Sequence, residues 1–158
     1  MYQWVVFVHL LGVFAFLLAH GVSLGVVFRV SGERDVSALR ALLDLSGRWV
    51  IASFVSLLVL LAAGIWAAFL SNVWGQVWPW ASLGLLIVIW GGMSAQTGPA
   101  LRRARLAVGI TMPGREPKPA ASAEEINAAL VAVRPWISAV LGGVGLLLIL
   151  WLMVLKPF

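Results

Sequence analysis

The sequence predicts an all-α, polytopic membrane protein: a bundle of four transmembrane helices with two short interfacial helices on the cytoplasmic side. Three observations predict this fold class. Of the 158 residues, 62% are apolar, whereas a soluble domain is nearer half apolar. Four apolar stretches reach the roughly 20 residues that a helix needs to cross a bilayer. The Asp, Glu, Lys and Arg residues are only 11% of the chain and cluster in a few places.

The four predicted spans form a single integral membrane domain, residues 1–158. The spans cover residues 2–28, 49–70, 80–99 and 136–155. The N-terminal segment lacks the Lys/Arg-rich start and the small-residue cleavage site of a signal peptide. We therefore expect it to be retained as the first span.

The basic residues predict the orientation of these spans. All but one of the Lys and Arg residues lie in the first and third connections, the middle connection has none, and Lys156 alone marks the C-terminus. By the positive-inside rule, the first and third connections face the cytoplasm and both termini face outwards. We expect a bacterial inner (cytoplasmic) membrane with lipid as a partner. Because the charge flanks apolar spans and forms no basic domain, the net charge of +5 does not indicate nucleic acid.

The two basic connections contain more than linkers. DVSALRALLDL, residues 35–45, places its apolar residues on one helical face, and a capping box at Ser122 opens a second such segment. Each segment predicts a short amphipathic helix at the inner interface. The alternative is that each one continues the neighbouring span. Residues 112–122 are Pro-rich and polar, which predicts a mobile connection.

The only two histidines of the chain, His9 and His20, lie in the first span. Their separation of eleven residues is close to three helical turns, so the two rings share one face about 16 Å apart along the axis. They therefore cannot ligate one metal ion or one haem together. Since an imidazole in hydrocarbon is costly without a partner, each is a candidate haem or metal ligand. The alternative is a hydrogen bond to the next helix that serves only packing.

Two methionines are candidate partners at matching depth. With a rise of 1.5 Å per residue, Met93 falls near the level of His20 and Met153 near that of His9. Histidine with methionine is an axial pair for haem iron, which predicts haem b, and it also suits Cu(I), which makes copper the alternative. As a further alternative, both methionines fill space in the core.

Several classes of chemistry have no support in the sequence. The chain contains no cysteine, which excludes disulfides, iron–sulfur clusters and thiolate metal sites within it. It contains none of the common hydrolase, nucleotide-binding, zinc-protease or dinucleotide-binding motifs. These observations do not decide whether the protein is an enzyme.

The first span resembles a known group of proteins. MYQWVVFVHLLGVFAFLLAHG, with His-Leu-Leu-Gly beginning at His9 and arginine at the inner end, is similar to a loose group of bacterial integral membrane proteins. The group includes the CopD-type copper-resistance domain, the HemJ-type protoporphyrinogen oxidase and uncharacterised four-span relatives, which it resembles most. The resemblance is fair over the second span, from RALLDLSGRW onward. It implies a four-helix bundle in which His9 is the position associated with haem or copper.

These observations together predict a small haem- or metal-associated integral membrane protein. We expect a subunit of a redox or respiratory membrane assembly, present as a homo-oligomer or within a larger complex. His9 and His20 would each serve one site, which methionine, water or a second protomer completes. The alternative is a non-enzymatic structural or transport-associated subunit in which both histidines are packing polar groups.

Overall fold

The computed structural model describes residues 1–111 and 118–157. Part of the connection predicted to be mobile, residues 112–117, lies outside the described residues. All regular secondary structure in the described residues is helical. The five helices are α1 (Tyr2–Gly32), α2 (Val36–Leu70), α3 (Val77–Ala107), α4 (Ala123–Val131) and α5 (Pro135–Leu155).

The prediction of an all-α chain with four membrane-length apolar helices is confirmed. Helices α1, α2 and α3 and the combined stretch Ala123–Leu155 are each long and apolar enough to cross a membrane. Each contains one of the four predicted spans. The helices extend past the predicted spans. For example, α2 has 35 residues, whereas a helix needs roughly 20 to cross a bilayer.

The two separate interfacial helices are not confirmed. Residues 36–45 form the first turns of α2, which continues without a break, so the alternative of a continued span applies here. The segment contains no proline, and Gly47 by itself does not end a helix. Asp35 caps α2 by accepting hydrogen bonds from the backbone N–H groups of Ser37 and Ala38.

The C-terminal segment is also closer to one helix than to two. The predicted capping box is present, with Ser122 and Glu125 accepting from each other's backbone N–H. After α4 only three residues separate Val131 from Pro135, the first residue of α5. The two pieces make up a single apolar helical stretch, Ala123–Leu155. Proline at the first position of α5 explains the short interruption, because its ring disfavours helical geometry at Arg134.

The helices pack as two pairs that meet at one end of the bundle. Helix α1 packs along α2, and α3 packs against α5 and α4. The main buried core joins the end of α1, the start of α2, the end of α3 and α4. Its members are Val26, Val27, Val30, Leu39, Leu43, Ala100, Leu101, Ala104, Val108, Ile126, Leu130 and Val133. The two basic connections therefore lie at the same end of the molecule.

The rest of the bundle buries little of its apolar surface internally. In the most apolar window of each long helix, only 11–22% of the residues are buried. Large side chains such as Phe14, Ile87 and Leu147 are more than two-thirds exposed. A soluble protein rarely exposes so large a contiguous apolar surface. The surface therefore suits a protein whose surroundings are lipid.

Aromatic residues gather at the end opposite the basic connections. Trp74 packs against Phe69 and Trp80, with ring centroids 5.3 and 5.1 Å apart. The ammonium of Lys156 lies 5.4 Å from the ring centroid of Trp78. The C-terminus and the connection between α2 and α3 therefore share this end, as expected for an aromatic belt at a membrane surface.

Candidate functional site

His20 lies where α1, α3 and α5 meet. Gly142 of α5 has no side chain there, and a Cβ atom added to it would lie 3.4 Å from His20 Nε2. The same Cβ would lie 3.3 Å from Met93 Sδ. An imidazole nitrogen and a thioether sulfur thus both lie next to the position that a side chain at residue 142 would occupy. We call His20, Met93 and Gly142 the inner junction.

The His20 ring is oriented by stacking and not by hydrogen bonding. Phe16, one turn earlier on α1, stacks on it with centroids 5.5 Å apart and an interplanar angle of 17°. Within the described residues, neither ring nitrogen of His20 has a hydrogen-bond partner. The side chain is half-buried. A polar nitrogen in apolar surroundings without a partner costs free energy, so His20 is the histidine whose ring nitrogens are open to a ligand.

His9 has a different environment, between α1 and α2. Its Nδ1 lies 2.7 Å from the carbonyl oxygen of Leu60. Because a carbonyl only accepts, Nδ1 carries the proton and Nε2 keeps its lone pair in the neutral ring. A Cβ added to Gly64 would lie 2.9 Å from the Cε1 and Nδ1 atoms of His9. The glycine therefore provides the space in which the ring reaches the α2 backbone.

The backbones of α1 and α2 come into contact one turn after His9. A Cβ added to Gly12 would lie 2.9 Å from the backbone nitrogen and the Cα of Leu60. Small residues allow helices in a membrane to approach this closely. We call His9, Gly12, Leu60 and Gly64 the outer seam. It joins two helices tightly through one hydrogen bond and close backbone packing.

The two histidines thus belong to separate places, in line with their spacing along α1. Although they share a face of that helix, α2 contacts it at His9, and α3 and α5 border it at His20. His20 lies beside Met93, which the depth argument selected. The contacts described for His9 are to α2, and Met153 lies on α5, so the pairing of His9 with Met153 stays a prediction.

Three polar side chains of α3 and α5 pair with one another. Ser138 Oγ lies 2.9 Å from Gln96 Oε1 and 2.6 Å from Thr97 Oγ1. The amide of Gln96 also donates to the carbonyl of Arg134 at 3.4 Å. Since Ser138 is buried, these bonds tie α3 to α5 inside the bundle. The cluster is a packing device between these two helices.

The sequence did not single out the glycines that shape both places. Gly142 begins a Gly-Gly-x-Gly run, and small residues of this kind permit close helix packing. Composition alone does not say which glycine faces a histidine. That choice depends on the rotation of each helix about its axis.

A conventional metal cluster is absent from residues 1–111 and 118–157. No group of three or more His, Cys, Asp and Glu side chains comes together there. A metal ion at the inner junction would take its protein donors from one imidazole and one thioether. These donors suit a soft ion and not a hard one such as Mg²⁺ or Ca²⁺.

Comparisons with protein-family models, curated proteins and solved structures found no match to this chain.

Proposed function

We propose that this protein is a small metal-associated integral membrane protein that holds a soft monovalent ion, Cu(I), between His20 and Met93. The observation that carries the proposal is the inner junction. There, Nε2 of His20 and Sδ of Met93 border the same volume beside Gly142. Neither ring nitrogen of His20 is engaged by another group in the described residues.

The donor chemistry fits copper. Thioether sulfur selects Cu(I), and imidazole is a common copper ligand. A Cβ atom at Gly142 would lie within 3.4 Å of both donor atoms, so any side chain there would cover the two donors. When bound, the ion would supply a one-electron redox couple. The chain's own contribution is to orient the imidazole, through Phe16, and to keep both donors on rigid helices.

Haem b fits this arrangement less well than copper. Iron bound by both donors would lie beside Gly142, since the glycine is close to each of them. A porphyrin is a wide, flat ring, and Gly142 brings the α5 backbone close to both donor atoms, so the residues present leave little room for such a ring. We therefore take the copper alternative, and haem b remains a separate prediction that an absorption spectrum tests.

The experiment is an anaerobic Cu(I) titration of the purified protein in detergent, against a colorimetric Cu(I) chelator. We expect one tight site per chain. Loss of the hydrogen-bond partner of a metal ligand typically weakens binding 10- to 100-fold. Loss of the ligand itself, in His20→Ala or Met93→Leu, should therefore weaken Cu(I) binding by about 100-fold or more.

His9→Ala is the matched control, because it removes the other imidazole from the same helix. It should keep Cu(I) affinity within a few-fold of the wild type. Equal losses in His9→Ala and His20→Ala, or no binding by the wild type, would contradict the proposal. The visible absorption spectrum of the same preparation tests for haem. A Soret band that disappears in His20→Ala would favour haem b over copper.

A second function has support from the outer seam. The His9–Leu60 hydrogen bond and the close fit at Gly64 are what a packing histidine requires. If both histidines serve only packing, the protein is a non-enzymatic structural or transport-associated subunit. That outcome is recognised by wild-type protein that binds neither copper nor haem and by histidine variants that only lower the melting temperature.

We also propose the sidedness and setting of the protein. The rule that basic connections stay inside places both of them in the cytoplasm of a bacterial cell, with both termini outside the inner membrane. A soft-metal site in such a protein suits a subunit of a redox or respiratory assembly, either as a homo-oligomer or within a larger complex. The absence of cysteine from the sequence makes the orientation easy to test. In intact spheroplasts, an impermeant maleimide should label S71C and not N127C; the reverse pattern would overturn this orientation.

A further inference from the structure

A shallow, open groove lies on the surface of α3 at the end where the two basic connections lie. It has a volume of about 490 Å³, and its lining residues all belong to this one helix: Gly98, Pro99, Arg102, Arg103 and Leu106. Two guanidinium groups form one part of the lining, and apolar or small residues form the rest. The groove thus combines positive charge with an apolar wall at the boundary of the third span.

The arginines in this groove differ from their neighbour Arg105. Arg105 reaches across to α2 and donates to the carbonyl of Leu43 at 3.1 Å. Arg102 and Arg103 are exposed and have neither a hydrogen bond nor an ion pair to any described residue. Within one short run of α3, one arginine therefore holds the fold together and two are left for an external partner.

Two other arginines at this end of the molecule already have carboxylate partners. Arg29 lies 2.9 Å from Glu33, and Arg48 lies 2.8 Å from Asp44. Both pairs are spaced by one helical turn, so each charge is locally balanced. Arg29 and Arg48 together therefore serve as a control pair, because both charges are already paired within the protein.

We propose that this groove binds the phosphate headgroup of an anionic phospholipid. Guanidinium groups bind phosphate oxygens in a planar, bidentate manner, which makes arginine well suited to this role. A Cβ added to Gly98 would meet nothing within 4 Å, so the headgroup has room beside the helix. Pro99 has no N–H, so the carbonyl four residues earlier lacks its usual helical donor.

The apolar wall is the reason for choosing a lipid over a free anion. Leu106 and Pro99 flank the two arginines, and the apolar span of α3 precedes Gly98. A free phosphate ion would use only the guanidinium groups. A phospholipid would use both, with its phosphate on the arginines and its glycerol and acyl part along the helix. Basic pockets of this kind beside membrane helices bind anionic headgroups.

The test measures lipid retention by native mass spectrometry of the full-length protein in detergent. The probes are phosphatidylglycerol and phosphatidylcholine with the same acyl chains. We expect one retained phosphatidylglycerol per chain and much less phosphatidylcholine. From the attraction of a basic residue to an anionic membrane surface, R102Q/R103Q should weaken phosphatidylglycerol binding by about 30-fold.

Two further variants separate the groove from general charge and from misfolding. R29Q/R48Q removes the same two charges outside the groove and should bind as the wild type does. G98L keeps every charge but fills the groove, and it should lose phosphatidylglycerol while its helical circular dichroism is unchanged. Equal loss in R29Q/R48Q and R102Q/R103Q, or unchanged binding in G98L, would overturn the proposal. Displacement of the lipid by millimolar inorganic phosphate would do so as well, because the site would then take a free anion.

Discussion

The outer seam and the inner junction each contain one histidine of α1, but the surroundings of the two rings differ. At the outer seam His9 is tied to the Leu60 carbonyl and enclosed by Gly64, so its Nδ1 is already engaged. At the inner junction His20 has a stacked ring, two unengaged nitrogens in the described residues and a thioether nearby. An imidazole in a membrane helix can thus serve packing or ligand binding. Its neighbours on other helices decide which.

The largest expected effect on stability comes from adding a side chain at Gly12, where the backbones of α1 and α2 contact each other. In Gly12→Ala the new methyl group would meet the backbone of Leu60 at 2.9 Å, so α1 and α2 must separate. Because backbone cannot rotate away as a side chain can, we expect a loss of about 3 kcal/mol in the free energy of unfolding, at the upper end of overpacking costs. Unfolding in mixed detergent micelles with increasing SDS measures this change.

Gly21→Ala is the control for that prediction. A Cβ at Gly21 would have nothing within 4 Å, so the unfolding free energy should change by no more than about 0.5 kcal/mol. Similar losses in the two variants would show that helix approach at Gly12 does not hold α1 to α2.

A second comparison adds one methyl group beside each histidine. Gly64→Ala would push against the His9 ring at 2.9 Å and disturb its bond to Leu60, so we expect a loss of about 2 kcal/mol. Gly142→Ala would meet Met93 Sδ and His20 Nε2 at 3.3 and 3.4 Å, which a flexible methionine can accommodate. Its stability should change by less than about 1 kcal/mol, whereas its Cu(I) affinity should fall because the methyl group fills the space between the donors.

The paired measurement on both glycine variants is SDS unfolding and Cu(I) titration of each protein. If the outer seam serves packing and the inner junction binds copper, Gly64→Ala should mainly lose stability and Gly142→Ala should mainly lose Cu(I) affinity. A Gly142→Ala protein that binds copper as the wild type does would contradict the position of the ion.

Removing the imidazole of His9 or of His20 should change stability less than Gly12→Ala or Gly64→Ala does. His9→Ala loses one hydrogen bond to a backbone carbonyl, which contributes about 1 kcal/mol. His20→Ala loses no hydrogen bond and should cost less in the metal-free protein. Thermal unfolding without copper should therefore rank His9→Ala as the less stable variant, and the opposite rank would argue that His20 has a packing role.

The smallest effect concerns the turn that closes the α1–α2 pair. Hydrogen bonds from the Ser37 side chain and from backbone N–H groups lower the pKa of Asp35, and backbone N–H groups of Arg34 and Asp35 lower that of Glu33. A lowered folded pKa means that the stabilisation is fully present above the unfolded pKa, about 4. It is lost as the pH falls through the lower folded value.

Amide hydrogen exchange at Ser37 and Ala38 measures this effect. Protection should be constant at neutral pH and should fall, after correction for intrinsic exchange, as the solution is acidified below about pH 4. Asp35→Asn keeps an acceptor oxygen without a titrating group, so the pH dependence at these two amides should disappear. If it persists in that variant, Asp35 is not its cause.

The sequence was informative where a feature depends on one helix at a time. Apolar runs predicted the four spans, the spacing from Ser122 to Glu125 predicted the capping box, and the helical rise placed Met93 at the level of His20. Features that depend on how helices face one another were not predictable. The close contact between the His9 ring and Gly64 is one example. For residues 35–45 the sequence left two alternatives, a separate helix and a continued span, because an amphipathic pattern looks the same in a short helix and in the extension of a long one.

The central claim is that His20 and Met93 hold one soft metal ion, and copper K-edge X-ray absorption of the Cu(I)-loaded protein tests it most directly. We expect sulfur and imidazole nitrogen both coordinated to copper in the wild type and in His9→Ala. The sulfur should be lost in Met93→Leu and the imidazole in His20→Ala. Copper without sulfur in the wild type, or an imidazole signal that disappears in His9→Ala and persists in His20→Ala, would contradict the account.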